Sequence, residues 1–179
     1  MNSNFIRHSV FALLLSIPLL VQAADLCAGK TPGTFTFFDQ EISRDVALPS
    51  PVTELQFGKP MFALACLTDS VGPQQSGGKQ FRVVLYVDGK QMGGVFRPQL
   101  SIPRKEVIIA IDEDFGDSMN YMLDSGTHEF RLQAASEKPT GKVDVTLDFK
   151  NDVAYIQQLR KAGYLADGKV QVTKQPRTA

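Results

Sequence analysis

Gln80-Phe-Arg-Val-Val-Leu-Tyr-Val-Asp-Gly-Lys-Gln-Met92, continued by Val107-Ile-Ile-Ala-Ile-Asp112, is the stretch from which the fold is read. Two apolar runs are present, and the first contains an Asp88-Gly89 corner between β-branched and aromatic residues. Both central residues of a type I′ turn need positive φ, so Asp-Gly in that setting predicts a hairpin. Within the first run Phe81, Val83, Leu85 and Val87 share one face, and Arg82, Val84 and Tyr86 share the other. Period-two burial of this kind predicts strands, and the rest of the chain is read outward from it.

Upstream, Arg7 and His8 precede an apolar run from Val10 to Val21, and Val21-Gln22-Ala23 offers small residues where a signal peptidase reads. The run is shorter than the roughly 20 apolar residues that cross a bilayer, so residues 1–23 are expected to be a cleaved secretory signal. Asp25-Leu26 ahead of Cys27 lacks the small residues that lipidation requires. A soluble periplasmic or secreted product without membrane insertion is the expectation. The 179 residues less those 23 leave about 156, enough for one domain, placed at 24–173 with a frayed tail at 174–179. Without Arg7, 18 of the 19 basic residues face 19 acidic ones. A near-neutral surface with no basic run argues against nucleic acid as a partner.

Cys27 and Cys66 are the two cysteines, and export places them in an oxidising compartment. A bridge between them is expected, fastening the front of the processed chain onto the strand that carries Cys66. That strand, Met61-Phe-Ala-Leu-Ala-Cys-Leu67, has no polar residue on either face, so it must be covered on both sides or lie between neighbours.

Further strands are expected at Thr34–Phe38, Thr53–Phe57, Gln91–Phe96 with a bulge at Gly93-Gly94, Glu106–Ile111, Glu129–Ala134 and Lys142–Phe149. Asp112–Asp124 reads as acidic and irregular, with Met119 to Leu123 folding back as a short helical turn. After Asn151 or Asp152 as cap, Val153, Ile156 and Leu159 form the stripe of a helix that Gly163 ends. Lys169–Thr173 is expected as a short edge strand. Together these predict an all-β fold, an antiparallel sandwich of about seven to nine strands with one C-terminal helix. A small closed barrel is the alternative. The Tyr86-Val-Asp-Gly89 corner and the Ser125-Gly-Thr-His128 lead-in resemble those of exported immunoglobulin-like modules, although the chain has no Trp.

Catalytic chemistry finds little to work with. His128 is the one histidine left after cleavage, and it starts a strand beside a turn, where such a residue is ordinarily structural. With both cysteines paired, a zinc site lacks ligands. Asp112, Asp114 and Asp117 could hold Ca²⁺, although the spacing is not that of an EF-hand and acidic loops are commonly just solvated. The Gly, Gln and Ser-rich loop from Ser70 to Lys79, with Ser70, Gln74, Gln75 and Lys79 as contact residues, is a candidate recognition loop or a plain connector. No cofactor is expected. The leading expectation is a non-enzymatic module acting by contact with a protein partner in the envelope or extracellular space. Its expected edge, Lys142–Phe149 or Lys169–Thr173, would receive a partner strand. The alternatives are a carrier holding a small apolar or glycan ligand in a cavity lined by Phe, and a secreted enzyme inhibitor.

Overall fold

The computed structural model describes residues 25–72, 81–97, 100–137, 140–143 and 153–176. The expected signal 1–23, loop residues Gln74, Gln75 and Lys79, the body of the strand expected at Lys142–Phe149, and the cap residues Asn151 and Asp152 lie outside these. Along the chain come β1 (Thr34–Phe38), β2 (Glu54–Gln56), β3 (Phe62–Val71), β4 (Phe81–Val87), β5 (Lys90–Phe96), β6 (Arg104–Ala110), α1 (Ile111–Met122), β7 (Gly126–Ser136), α2 (Val153–Ala162) and β8 (Tyr164–Lys174).

The reading of the opening stretch holds. Val87 pairs with Lys90 across a two-residue turn in which Asp88 has φ 48° and Gly89 φ 77°. The β4–β5 register slips between Val84–Val95 and Tyr86–Gln91, which places a bulge at the expected glycines.

The layering differs from the expected sandwich. Among the described residues the strands join into one mixed sheet of 8, in the order β5-β4-β7-β8-β1-β3-β6, with β2 paired to β8. The two outermost strands of that order, β5 and β6, do not meet, so the sheet is open and the closed barrel is also set aside. It is not wholly antiparallel either, because β1 and β2 both run parallel to β8.

One face supplies a single core. Phe35 and Phe37 of β1, Ala63, Ala65 and Leu67 of β3, Val83, Leu85 and Val87 of β4, Val107 and Ile109 of β6, Phe130 and Leu132 of β7, and Val170 and Val172 of β8 are buried together. Both ends of the sheet contribute to one cluster, so the sheet curls around it. The right-handed twist of strands and the register slips in β3, β5 and β7 permit that curl. Helix α1 packs against β3, β5 and β6 and lays Ile111, Phe115 and Met119 on the core, bridging the open side. Asp112–Asp124 is therefore not irregular. Ile111, Phe115, Met119 and Leu123 recur every four residues as one helical stripe, and Asp112, Glu113 and Asp114 suit the positive end of the helix.

The opposite face of β1, β3 and β6 holds a second cluster of Leu26, Phe38, Ile42, Leu64 and Cys66. Apolar residues on both faces of β3 are thus explained, with Ala63, Ala65 and Leu67 toward the core and Leu64 and Cys66 toward this outer layer. Cys27 and Cys66 are bonded, with Cα atoms 5.6 Å apart, and hold the first described residues over β3.

Helix α2 sits on the outer side against β8 and the start of β1. Its buried stripe is Tyr155, Leu159 and Ala162, and Val153 of the expected stripe is 67% exposed. Tyr155 displaces it because its ring buries more apolar area and its hydroxyl finds a buried acceptor. Gly163, at φ 83°, ends the helix as expected.

Strand β8 corrects the expected short edge at Lys169–Thr173. It runs eleven residues in the middle of the sheet, between β7 on one side and β1 and β2 on the other. Gly168 permits the close approach of β8 and β1, because a Cβ there would stand 2.6 Å from Phe35 Cβ and 3.2 Å from Phe35 Cα. Gly168→Ala is expected to cost about 1–3 kcal/mol by overpacking, read as a lower urea midpoint. An unchanged midpoint would show that the two strands separate freely here.

Candidate functional site

With β8 central, the edges among the described residues fall elsewhere; β2 and β6 each border a cleft, and β6 is the one whose outward backbone groups the ladder assigns. Ile111 N–H donates to Met61 O at 2.8 Å, which sets the phase of the β3–β6 ladder. In that phase Val107 and Ile109 bond to β3, while Glu106, Ile108 and Ala110 turn their backbone groups outward. Two of the outward groups are capped by side chains. Ala110 N–H donates to Asp114 Oδ2 at 3.1 Å, and Glu106 O accepts from Arg44 Nη2 at 3.4 Å. Between the caps Ile108 presents its N–H and C=O away from β3, and β6 has no second neighbour among the described residues.

Along this edge lies a cleft of about 340 Å³ lined by Arg44, Phe96, Leu100, Arg104, Glu106 and Ile108, among others. Phe96, Leu100 and Ile108 are only partly buried and supply its apolar floor. Arg44 and Arg104 both pair with Glu106 Oε1. The Asp25 carboxylate lies within 4.8 Å of that of Glu106, so the arginines are balanced by two acidic groups. The Cys27 sulfur beside them is spent in the disulfide, Glu106 is engaged with the two arginines, and Asp25 Oδ1 accepts from the Cys27 N–H at 3.0 Å. What the edge offers chemically is a short run of backbone donors and acceptors beside apolar side chains. An added strand uses those groups.

A second cleft of about 590 Å³ opens to solvent between β2 and the end of β8, lined by Asp39, Glu54, Gln56, Lys59 and Gln175 among others. Its lining differs from the Phe-rich cavity expected of a carrier. Phe35, Phe37, Phe81, Phe115 and Phe130 are packed into the core cluster.

His128 holds the hairpin tip. Its Nδ1 lies 2.7 Å from Asp88 Oδ2 and its Nε2 3.1 Å from Asp124 O, while Asp88 Oδ1 accepts from Glu129 N–H at 2.9 Å. Two oxygen acceptors require two N–H donors, which only the imidazolium supplies. The hydrogen bond to Asp88 raises the His128 pKa above 6.5, and the same bond lowers that of Asp88 below 3.8. Stability from the histidine is fully present below about pH 6.5 and is lost as pH rises through its raised value. Stability from the aspartate is present above about pH 3.8 and is lost as pH falls through its lowered value. The clamp therefore acts between those two limits. Asp88 is half-exposed, so the clamp is worth about 1 kcal/mol at most. In urea unfolding from pH 5 to 9, the stability gap between wild type and His128→Ala should be widest at the acid end and shrink on the alkaline side. A gap that does not vary with pH would overturn this.

The strongest electrostatic arrangement lies under α2. Asp167 of β8, 3% exposed, accepts from Arg131 Nε at 2.8 Å, from Arg131 Nη2 at 2.5 Å and from the Tyr155 hydroxyl at 2.5 Å. Burial, and then the Asp167 carboxylate beside it, push the Tyr155 hydroxyl well above the ordinary tyrosine range, so it remains a donor. Burial is the largest single influence on Arg131 and works against its charge, but the hydrogen bond and charge of Asp167, with Tyr155, together outweigh it and raise the pKa.

The other sequence-derived site residues are dispersed. Asp112 and Asp114 stand in the first turn of α1, where Asp114 is engaged with Ala110; burial, the largest influence, raises its pKa. The side chain of Asp117 lies outside the described part. Ser70 is exposed near the end of β3 rather than in a loop, and its three companions are outside the described residues. Arg44, Arg131, Tyr155 and Asp167 were not singled out by the sequence. An acidic residue between Leu165-Ala166 and Val170 was the signal available for Asp167, once that segment is read as strand.

The geometry defines an open, mixed β-sheet domain with two flanking helices and one disulfide. Compared with protein-family models, with curated proteins and with solved structures, the chain finds no match.

Proposed function

We propose that this chain is an exported, non-enzymatic β-domain that works by protein contact, and that the contact is made along the edge of β6 that no described strand covers. The observation that carries this reading is the outward Ile108 backbone between two side-chain caps, beside a cleft with a partly exposed apolar floor. The Cys27–Cys66 bridge and the signal-like residues 1–23 support export to the periplasm or medium. No described helix is long and apolar enough to cross a membrane. Of the edges expected from sequence, Lys169–Thr173 is interior to the sheet and most of Lys142–Phe149 lies outside the described residues, so the reading rests on β6.

A photo-crosslinking residue placed at Leu100 in the producing cell tests the reading. An adduct formed at Leu100, absent from a control at exposed Gln171 and lost on Ile108→Pro, is the expected result. No adduct at Leu100, or one that Ile108→Pro leaves intact, would count against it.

A further inference from the structure

We infer that the partner that fits the β6 edge is a second copy of the same chain, the two β6 strands pairing antiparallel about a two-fold axis at Ile108. This rests on the contact reading above and adds the identity of the occupant. Three observations carry it.

The first is the placement of the open backbone groups. Ile108 lies midway between Glu106, whose C=O is capped by Arg44, and Ala110, whose N–H is capped by Asp114. A two-fold axis at Ile108 lets each Ile108 N–H donate to the other copy's Ile108 C=O, and it sets Glu106 C=O opposite the other copy's Ala110 N–H, so the Arg44 and Asp114 side chains must swing aside as the strands meet.

The second is charge. The strand opens with Arg104-Lys105 and is followed at once by Asp112-Glu113-Asp114 in the first turn of α1, nearly symmetric about Ile108. Antiparallel pairing sets the basic end of each copy against the acidic end of the other, and parallel pairing sets like against like. Arg44 pairs with Glu106 at the same edge, with the Asp25 carboxylate nearby, and these leave the end-to-end polarity unchanged. Polarity of this kind favours a self-complementary arrangement over a uniformly charged partner.

The third is shape. The cleft borders only Arg104–Ile108, with Phe96 and Leu100 as its apolar wall. In the two-fold arrangement that stretch faces Ile108–Asp112 of the other copy, so each cleft receives Ile108 and Ala110 from its neighbour. Two central hydrogen bonds make a modest, concentration-dependent dimer rather than an obligate one.

Sedimentation velocity on the purified processed chain over a wide concentration range tests this. Wild type is expected to pass from monomer to dimer, and Ile108→Pro to stay monomeric. The lost N–H takes no part in the β3–β6 ladder, so circular dichroism of that variant should match wild type, with the melting point lowered only by the apolar contact that the Ile108 side chain gives up. Lys105 and Glu113 are both exposed, so reversing either charge does not disturb the core. Lys105→Glu alone and Glu113→Lys alone should each dimerise about tenfold more weakly. An equimolar mixture of the two should recover wild-type affinity, because each reversed end then meets its opposite. A wild type that is monomeric throughout, a dimer indifferent to Ile108→Pro, or a mixture no tighter than its components would overturn the inference. A Leu100 adduct lost on Ile108→Pro, formed by a chain that is monomeric when purified, would remove self-pairing and leave the contact reading standing.

Discussion

Asp167→Ala is expected to lower the unfolding free energy by about 3–5 kcal/mol, the cost typical of removing one partner from a buried ion pair. The carboxylate is almost wholly enclosed and satisfies a two-pronged Arg131 guanidinium and the Tyr155 hydroxyl at once. Without it a largely covered cation remains on β7, and Tyr155, 1% exposed, loses the acceptor that sets its orientation under α2. Tyr155→Phe removes one hydrogen bond to a charged group and should cost less, about 1.5–3 kcal/mol. Replacing Asp167 and Arg131 together by leucine should recover much of the loss, since no unpaired charge is left. Urea titrations of the four proteins give the comparison. If Asp167→Ala proves as mild as a surface change, the trio does not fasten α2 to the sheet.

Loss of the bridge is the second large effect. Cys27→Ser with Cys66→Ser should cost about 4 kcal/mol, because the bond closes a loop of 39 residues in the unfolded chain. Leu26 and the bonded cysteines cover Phe38, Ile42 and Leu64 on the outer face of β3, so the unbridged protein should also expose that layer. A fall of the melting midpoint on the order of 10 °C, with gain of a dye that reports apolar surface, is the expected result. Equal midpoints for the oxidised and reduced protein would show that packing alone retains the segment.

The sequence carried the strands well where burial alternates. Thr34–Phe38 and Phe81–Val87 fall at their expected bounds, and the Asp88-Gly89 turn has the expected backbone. Layering was not legible, because alternation says which side chains are buried and not whether the buried faces belong to one curled sheet or to two flat ones. α1 was hidden by Gly116 and by acidic residues that look like a loop, although its spacing of four was present. β8 was truncated because Asp167 and Gly168 are residue types that strands ordinarily avoid. In the fold Asp167 is partnered by Arg131, 36 residues away, and Gly168 is required by Phe35, and neither reason is local. The β6 edge was missed for the same cause, since an edge is defined by what a strand lacks.

The position of β8 bears on how the chain comes into being. The last strand made is the one that joins β7 to β1 and β2, so the two halves of the sheet have no shared ladder until the C-terminal residues are synthesised. Pairings between residues so distant in sequence form slowly. A polypeptide built this way cannot complete its sheet until β8 is made, which suits the export proposed above, since a chain that lacks its joining strand can still be threaded through a narrow channel.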